Sequence, residues 1–310
     1  MIGESPAMKR IGEIVDRVAS LPSSVLITGE SGTGKEVVAR AIHDRGDRAD
    51  APFVPINCAA IPEALLESEL FGHKRGAFTG ATENKEGLLR TAGEGTIFLD
   101  ELGEMTIPLQ AKLLRAIENR EIQPVGSTRR IPIKARLIVA TNKDLKEESA
   151  AGRFREDLYF RVAVVEIHVS PLRERREDIP LLVRHFLEKY KRELRRPVQD
   201  VSNDALRILT GCAWRGNVRE LSNTVERAVI FADGDLVEPH DLPGPIRGGG
   251  APAATDVSLD LGEATRRFEV EHIWKVIDLC EGNKRKAAKV LGIGATSLYR
   301  KIAKKEEEGE

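Results

Sequence analysis

Four short segments of the chain carry side chains suited to phosphate chemistry. Gly29-Glu30-Ser31-Gly32-Thr33-Gly34-Lys35 fits the pattern G-x-x-x-x-G-K. Its glycines let backbone N–H groups turn inward around phosphate oxygens, and a helix opening at its end adds the positive end of a dipole. Lys35 is spaced to reach the β- and γ-phosphates of a nucleotide. The next residue is Glu36, where a Ser or Thr would offer Mg²⁺ a hydroxyl. A second segment, Thr96-Ile97-Phe98-Leu99-Asp100-Glu101, is an apolar run ending in two carboxylates. Asp100 is suited to hold Mg²⁺ directly or through water, and Glu101 to orient or deprotonate an attacking water. Asn142 follows a third apolar run, at the same edge of the implied sheet, where it could detect a γ-phosphate or position the water. Lastly, residues 152–161 carry Arg153, Arg155 and Arg161. They read either as a charge-paired surface helix or as groups reaching a neighbouring subunit's γ-phosphate.

These residues need a scaffold that delivers them to one edge. The runs Ser24–Thr28, Phe53–Asn57, Thr96–Asp100 and Arg136–Thr141 are short, apolar and separated by helical stretches. That alternation predicts an α/β fold with a mainly parallel sheet buried on both faces. After Pro171 the strand signals fade, and residues 178–232 read as helices around the turn-like Cys212-Ala213-Trp214-Arg215-Gly216-Asn217. A stretch rich in Gly, Pro and Ala follows from Pro243 to Ala254 and reads as a linker. The expected divisions are residues 1–170 for the α/β part, 171–243 for the helical part, 244–257 for the linker and 258–310 for a C-terminal module.

Composition narrows the class. The 310 residues include 48 Lys+Arg against 49 Asp+Glu, with 41% hydrophobic and 31% charged residues. This balance excludes an intrinsically disordered chain and a uniformly basic nucleic-acid coat. Cys58, Cys212 and Cys280 are scattered, so neither a zinc site nor a disulfide framework is expected. No apolar run approaches the roughly 18 residues of a membrane span, and no signal-peptide core opens the chain. A soluble, reduced, cytoplasmic protein with no membrane partner is the expectation.

Near-neutrality hides a local asymmetry. Residues 283–305 hold eight Lys/Arg and no acidic residue, followed by the acidic tail 306–310. Helical periodicity runs through Phe268, His272, Val276 and Leu279. Next, a helix containing the small Ala287 and Ala288 leads through a turn at Gly292 to a helix burying Leu298 and Ile302. The pattern reads as a helix-turn-helix with basic charge for DNA phosphates, Lys284, Arg285 and Lys301 among it.

Together these segments resemble the AAA+ ATPase and DNA-binding domains of bacterial enhancer-binding proteins, the activators of sigma-54 RNA polymerase. The phosphate loop with Glu36, Glu69-Leu70-Phe71-Gly72-His73, Gly76-Ala77-Phe78-Thr79-Gly80-Ala81 and Gly95–Glu101 carry the likeness. Phe154–Arg161 and Gly216-Asn217-Val218-Arg219-Glu220-Leu221 complete it, and it covers Ile2 to about Ile302. Glu36 is at home in that family, whose phosphate loop usually ends in Lys-Glu. The resemblance implies an AAA+ P-loop ATPase with a helical lid, using ATP and Mg²⁺ and followed by a Fis-type helix-turn-helix domain.

By motif, Lys35 would bind phosphate, Asp100 coordinate Mg²⁺ and Glu101 activate water. Asn57 would restrain that glutamate, Asn142 would be sensor I and Arg219 sensor II. Arg155 and Arg161 would act as fingers from a neighbouring subunit of a ring, a hexamer by this resemblance. The loop Gly76–Ala81, with Phe78 beside Thr79, would contact sigma-54 and move with the nucleotide state. The C-terminal domain would dimerise on palindromic upstream enhancer sites. Gly294 and Ala295 stand where the family often has a serine and an arginine, which leaves Thr296, Ser297, Tyr299 and Arg300 as the expected base contacts.

Two motifs depart from the pattern: Ala213-Trp214-Arg215 replaces Pro-Trp-Pro, and Gln123-Pro124-Val125-Gly126-Ser127 replaces an Arg-Val-Gly-Gly hairpin. A sensory domain usually precedes Met1 in the family; its lack here is expected to mean a truncation or control in trans. The competing reading is a DNA-binding regulator whose ATP site only switches its oligomeric state, and a third is a general AAA+ remodeller or helicase loader. The intact loop Gly76–Ala81 argues against the former, and that loop with the basic module against the latter.

Overall fold

A computed structural model describes residues 1–78, 80–247 and 283–294, together with 273, 276, 297 and 298. The chain divides into two compact units, Met1–Gly249 and Gly250–Glu310.

In the first unit α1 (Pro6–Val18) begins at Ser5, whose hydroxyl accepts the Met8 N–H, with Pro6 at the first turn. Then come β1 (Val25–Thr28), α2 (Lys35–Asp44), β2 (Phe53–Asn57), α3 (Glu63–Phe71), and the short β3 (Gly72–His73) and β4 (Lys85–Glu86). They are followed by α4 (Leu88–Thr91), β5 (Thr96–Asp100), α5 (Ile107–Asn119), β6 (Glu121–Ile122), β7 (Ile131–Pro132) and β8 (Arg136–Thr141). The α/β part closes with α6 (Leu145–Ala150), α7 (Glu156–Val162) and β9 (Val165–His168). A helical part follows, built on α8 (Ile179–Glu193), β10 (Asp200–Val201), α9 (Asn203–Gly211), α10 (Asn217–Phe231), β11 (Leu236–Val237) and α11 (Gly244–Arg247).

Five strands form one sheet in the order β2-β5-β8-β1-β9, and every pairing is parallel. Alternate residues feed opposite layers, as the pleat requires. Leu26, Ile97, Leu99, Leu137 and Val139 pack with α3, α5 and α7, while Val25, Ile27, Phe98, Ile138 and Ala140 pack with α1 and α2. All six residues of β8 are buried, so this strand shows no polar alternation.

The four strand runs read from sequence are present, the first starting at Val25 rather than Ser24. The fifth, Val165–His168, escapes that reading because polar residues alternate along it: Glu166 and His168 face water and only Ile167 is buried.

The helical part has its own core, in which Leu172, Leu187, Leu209, Trp214, Leu221 and Val225 are buried together. Trp214 donates its indole N–H to the Leu209 carbonyl at 2.8 Å. Among the described residues, no helix is long and apolar enough to cross a membrane.

In the second unit a helix spans Lys284–Val290, capped by the Asn283 side chain on the Lys286 N–H. Gly292 then turns with φ +68°, and Ala287, Ala288 and Leu298 are buried with Ile273 and Val276. The expected contributions of Phe268, His272, Leu279 and Ile302 lie outside the described residues.

Candidate nucleotide-binding site

The phosphate loop leaves β1 at Thr28 and enters α2 at Lys35. Gly34 caps that helix from the left-handed region with no side-chain bond, so the first-turn N–H groups face the loop's interior. Lys35 is only 6% exposed. Its ammonium donates to the Gly29 carbonyl at 2.9 Å and the Glu30 carbonyl at 3.2 Å, and stands 4.0 Å from Glu101 Oε1. The Thr33 hydroxyl donates to the Glu30 carbonyl at 2.8 Å, closing the loop on itself.

At the end of β5, Asp100 lies in register with Asn57. Its Oδ1 accepts the Glu101 N–H at 3.0 Å. Glu101 is left-handed (φ 54°, ψ 47°), a conformation costing a non-glycine residue about 1–2 kcal/mol. That backbone turn brings its carboxylate between Lys35 and the Asn142 N–H, which donates to Oε2 at 3.3 Å. Asn142 thus touches Glu101 through its backbone, while its side chain is exposed. Asn57 is committed locally: its Oδ1 accepts the Ala59 and Ala60 N–H groups at 2.9 and 3.2 Å, and no hydrogen bond joins it to Glu101. Burial, with Asp100 and Glu101 adding to it, pushes the Cys58 thiol up to about 12.

Glu36 faces away from the loop, 56% exposed and 4.0 Å from Arg40. It does not take the place of a metal-binding hydroxyl. Among the described residues no three His, Cys, Asp or Glu side chains gather as a metal cage. One strand-end carboxylate, Asp100, beside a phosphate loop is nevertheless a donor set that fits Mg²⁺, which is held by one or two carboxylates plus substrate phosphates and water.

The outer side of the loop is bound by the helical part. Arg173 clamps Glu30 with two bonds of 2.8 and 2.6 Å. Asn217 donates to Glu30 Oε2 at 3.1 Å and to the Ser31 carbonyl at 3.0 Å, while its Oδ1 accepts the Leu172 N–H at 2.8 Å. The Arg173 fork and then the Asn217 amide hold the Glu30 carboxyl down at about 2. The Gly32 carbonyl accepts N–H groups from Val218 (2.9 Å) and Arg219 (3.3 Å), and Arg219 Nη1 donates to Ser31 Oγ at 3.1 Å. Arg175 is buried; it donates to the Thr33 carbonyl at 2.8 Å and to Met8 Sδ at 2.9 Å, and its Nε has no partner. Burial pushes its pKa down. A cleft of about 600 Å³, lined by Glu30, Ser31, Arg215, Arg219 and Arg227, opens beside these contacts.

Arg219 was legible as a site residue, but Arg173, Arg175 and Asn217 were not. Asn217 sits in a quoted motif without a role, and its left-handed φ of 53° is the kind of turn Asn tolerates. Arg173 and Arg175 lie in the run Arg173-Glu174-Arg175-Arg176, which in sequence looks like any solvated charge cluster.

Of the three arginines in residues 152–161, Arg153 follows the plain surface reading, clamped by Glu148 at 2.9 and 2.7 Å. Arg155 caps α7 and pairs with Asp157 at 3.0 and 2.6 Å. Arg161 is exposed in the last turn, beside Phe160 at 67% exposure. Neither Arg155 nor Arg161 touches the phosphate loop of its own chain.

The loop after β3 is tied at its base: Gly76 N–H donates to the Ala81 carbonyl at 2.8 Å and Ala81 N–H to the Phe78 carbonyl at 3.0 Å. Phe78 is 40% exposed, with its ring edge-on to His73 at 5.0 Å between centroids. His73 Nδ1 is hydrogen-bonded to Ser68 Oγ at 2.6 Å. The segment after β6 backs onto this loop, since Val125 exchanges backbone bonds with Gly72 and Lys74. Thr79 lies outside the described residues.

Comparison with known proteins gives these parts a relationship. Residues 1–168, more than half the chain, match the sigma-54 interaction domain. Residues 173–258 match the AAA+ ATPase lid domain, and 264–304 the bacterial regulatory protein, Fis family. The chain belongs to the sigma-54-dependent transcriptional activators. This activator is 46% identical over 307 residues to the regulatory protein AtoC of Escherichia coli K12, covering 97% of this chain and 67% of AtoC. It is 47% identical over 307 residues to the transcriptional regulatory protein ZraR of Klebsiella oxytoca, covering 98% of this chain and 68% of ZraR. The crystal structure of NtrX from Brucella abortus in complex with ADP matches with a TM-score of 0.74 at 37% identity, over 98% of this chain and 69% of that one. NtrX was also solved in complex with ATP.

The activator is therefore an AAA+ protein of an ATPase family, carrying a Fis-type DNA-binding module. Within that module Lys284 opens the helix Lys284–Val290 and is half-buried, as is Ser297. Arg285 lies on the same helix, and Thr296, Tyr299, Arg300 and Lys301 lie outside the described residues.

Proposed function

We propose that this activator hydrolyses ATP and uses the energy to remodel the closed complex of sigma-54 RNA polymerase, while its C-terminal module holds it on enhancer DNA. The observation that carries this reading is the place of the Glu101 carboxylate, 4.0 Å from the Lys35 ammonium and bonded to the Asn142 N–H. A carboxylate anchored there is positioned to take the proton of a water attacking the γ-phosphate. Lys35 neutralises β/γ charge, and Asp100 holds the Mg²⁺. When bound, that ion supplies further neutralisation of the phosphate oxygens. Asn142 orients the water or senses the γ-phosphate, and Arg219 brings lid charge to the phosphates. Asn57 restrains Glu101 once its bonds to Ala59 and Ala60 are exchanged.

Arg155 and Arg161 complete the site of a neighbouring subunit in a hexameric ring. Their exposure and their lack of contact with their own phosphate loop support that role. The loop Gly76–Ala81 presents Phe78 and Thr79 to sigma-54. Lys284, Arg285, Thr296, Ser297, Tyr299, Arg300 and Lys301 face palindromic upstream DNA in a dimer of C-terminal modules. The divisions at residues 170/171, 243/244 and 257/258, and a cytoplasmic place of action, belong to the same proposal.

The test is co-elution with purified sigma-54 in ADP plus aluminium fluoride, comparing wild type with Thr79→Ala and with Glu101→Gln in a parallel ATPase assay. Wild type should co-elute and Thr79→Ala should not. Glu101→Gln should bind ATP yet lose about 10²–10⁴-fold in turnover. A wild type that hydrolyses ATP without binding sigma-54 would replace this reading with a nucleotide-switched DNA binder. Persistent turnover in Glu101→Gln would remove the assigned base.

A further inference from the structure

We propose that Glu30 is a positioning residue: with Arg173 and Asn217 it clasps the phosphate loop to the lid and thereby fixes Arg219 over that loop. The inference rests on the proposed role of Arg219 in hydrolysis.

Helix α10 starts without a side-chain cap at Gly216, so its first N–H groups need acceptors. The Gly32 carbonyl supplies one to both Val218 and Arg219. The phosphate loop is thus itself the cap of the lid helix. The approach is close: a Cβ on Gly32 would stand 2.4 Å from the Gly216 carbonyl oxygen. Backbone bonds of this kind hold only while the two segments stay in register, and the side chains around them set that register. Asn217 joins three segments at once, donating to Glu30 and Ser31 and accepting from Leu172. Arg173, one residue beyond Leu172, grips the same Glu30 carboxylate from the other side. Glu30 is the shared acceptor of both.

A bidentate guanidinium–carboxylate pair fixes direction as well as distance. Replacing the carboxylate by an amide leaves the Arg173 fork half-matched and frees the first turn of α10. The neighbouring cleft of about 600 Å³ gives that turn room to move. The first side chain to shift would be Arg219, whose guanidinium reaches the loop through the 3.1 Å contact with Ser31 Oγ.

The test is a double-mutant cycle on ATP turnover, with ADP affinity measured alongside, for wild type, Glu30→Gln, Arg219→Ala and the pair. If Glu30 acts through Arg219, Glu30→Gln lowers kcat about tenfold, the size of one charge-assisted hydrogen bond, and leaves the ADP Kd within about threefold. In the Arg219→Ala background it causes no further loss. The proposal is overturned if Glu30→Gln leaves kcat unchanged, or multiplies the Arg219→Ala loss by its own full factor, the behaviour of independent sites. Should Glu30→Gln fail to fold, Arg173→Lys keeps the charge, loses the fork and runs through the same cycle. A wild type without turnover would defeat the proposed function instead. The clasp is then judged by hydrogen exchange at the Val218 and Arg219 amides, which Glu30→Gln should accelerate; equal exchange rejects it.

Discussion

Two glycine-rich loops of this activator look alike in sequence and differ in what their glycines are for. In the phosphate loop, Gly34 (φ +102°) has open space, but Gly29 and Gly32 have positive φ and also no room: added Cβ atoms would stand 2.5 Å from the Val169 carbonyl oxygen and 2.4 Å from that of Gly216. In the loop after β3, Gly76 and Gly80 have φ of +80° and +101° with nothing within 4 Å of the same position. One loop meets neighbouring backbone at two of its glycines; the other meets none at Gly76 or Gly80 and is held at its base, by its own Gly76–Ala81 bond and by the Val125 segment. A loop pinned by packing at two of its glycines is a fixed cradle. One whose glycines answer only to conformation can be rebuilt at low cost, which suits a segment proposed to rise towards a partner.

The sharpest way to break that contrast is to add the missing methyl groups. Gly32→Ala is expected to lower stability by about 3 kcal/mol or more and to weaken ADP binding, because no flexible side chain can yield there. Gly80→Ala should cost about 1–2 kcal/mol, the left-handed penalty alone, and leave ADP binding intact. Denaturant titration with ADP binding on both variants would show it, and equal losses would dissolve the distinction.

A smaller effect is expected from His73→Ala. Removing the ring under Phe78 should cost about 0.5–1.5 kcal/mol, so amide exchange should quicken in residues 76–81 and stay unchanged in 29–35.

The smallest concerns pH. Glu30 is held at about 2, below its ordinary 4.5, so its stabilising contribution is complete above 4.5 and lost as pH falls towards 2. The stability difference between wild type and Glu30→Gln should be constant from pH 5 to 8 and vanish near pH 2. A difference fading already between pH 7 and 5 would point to another titrating group.

What could be read in the sequence was local. Lys35, Asp100 and Glu101 announce themselves because the strand, the turn and the chemistry lie within a few residues of one another. Three of the sheet strands, β1, β5 and β8, are legible for the same reason, being buried almost throughout, and the edge strand β2 is legible from its local run of Phe53, Val54 and Ile56. The lid contacts were not legible, since Arg173 meets Glu30 across 143 positions and Asn217 meets it across 187. No local pattern distinguishes an arginine bound for such a partner from one bound for water. Asn57 is a third case. Its motif position is unmistakable, yet its carbonyl oxygen is taken by the adjacent turn rather than by a route to Glu101.

The sheet order also decides when the site can exist. The strand bearing the phosphate loop, β1, is made before the other four strands of its sheet but lies between β8 and β9, whose residues run to His168. On a ribosome delivering the chain from its N-terminus, β1 has no partner strand until residue 136 has emerged. Even then the lid contacts at Asn217 are still to be made. A nascent or prematurely ended chain therefore carries the whole G-x-x-x-x-G-K motif without the cradle that gives it meaning, and nucleotide capture has to wait until the sheet and the lid have been synthesised.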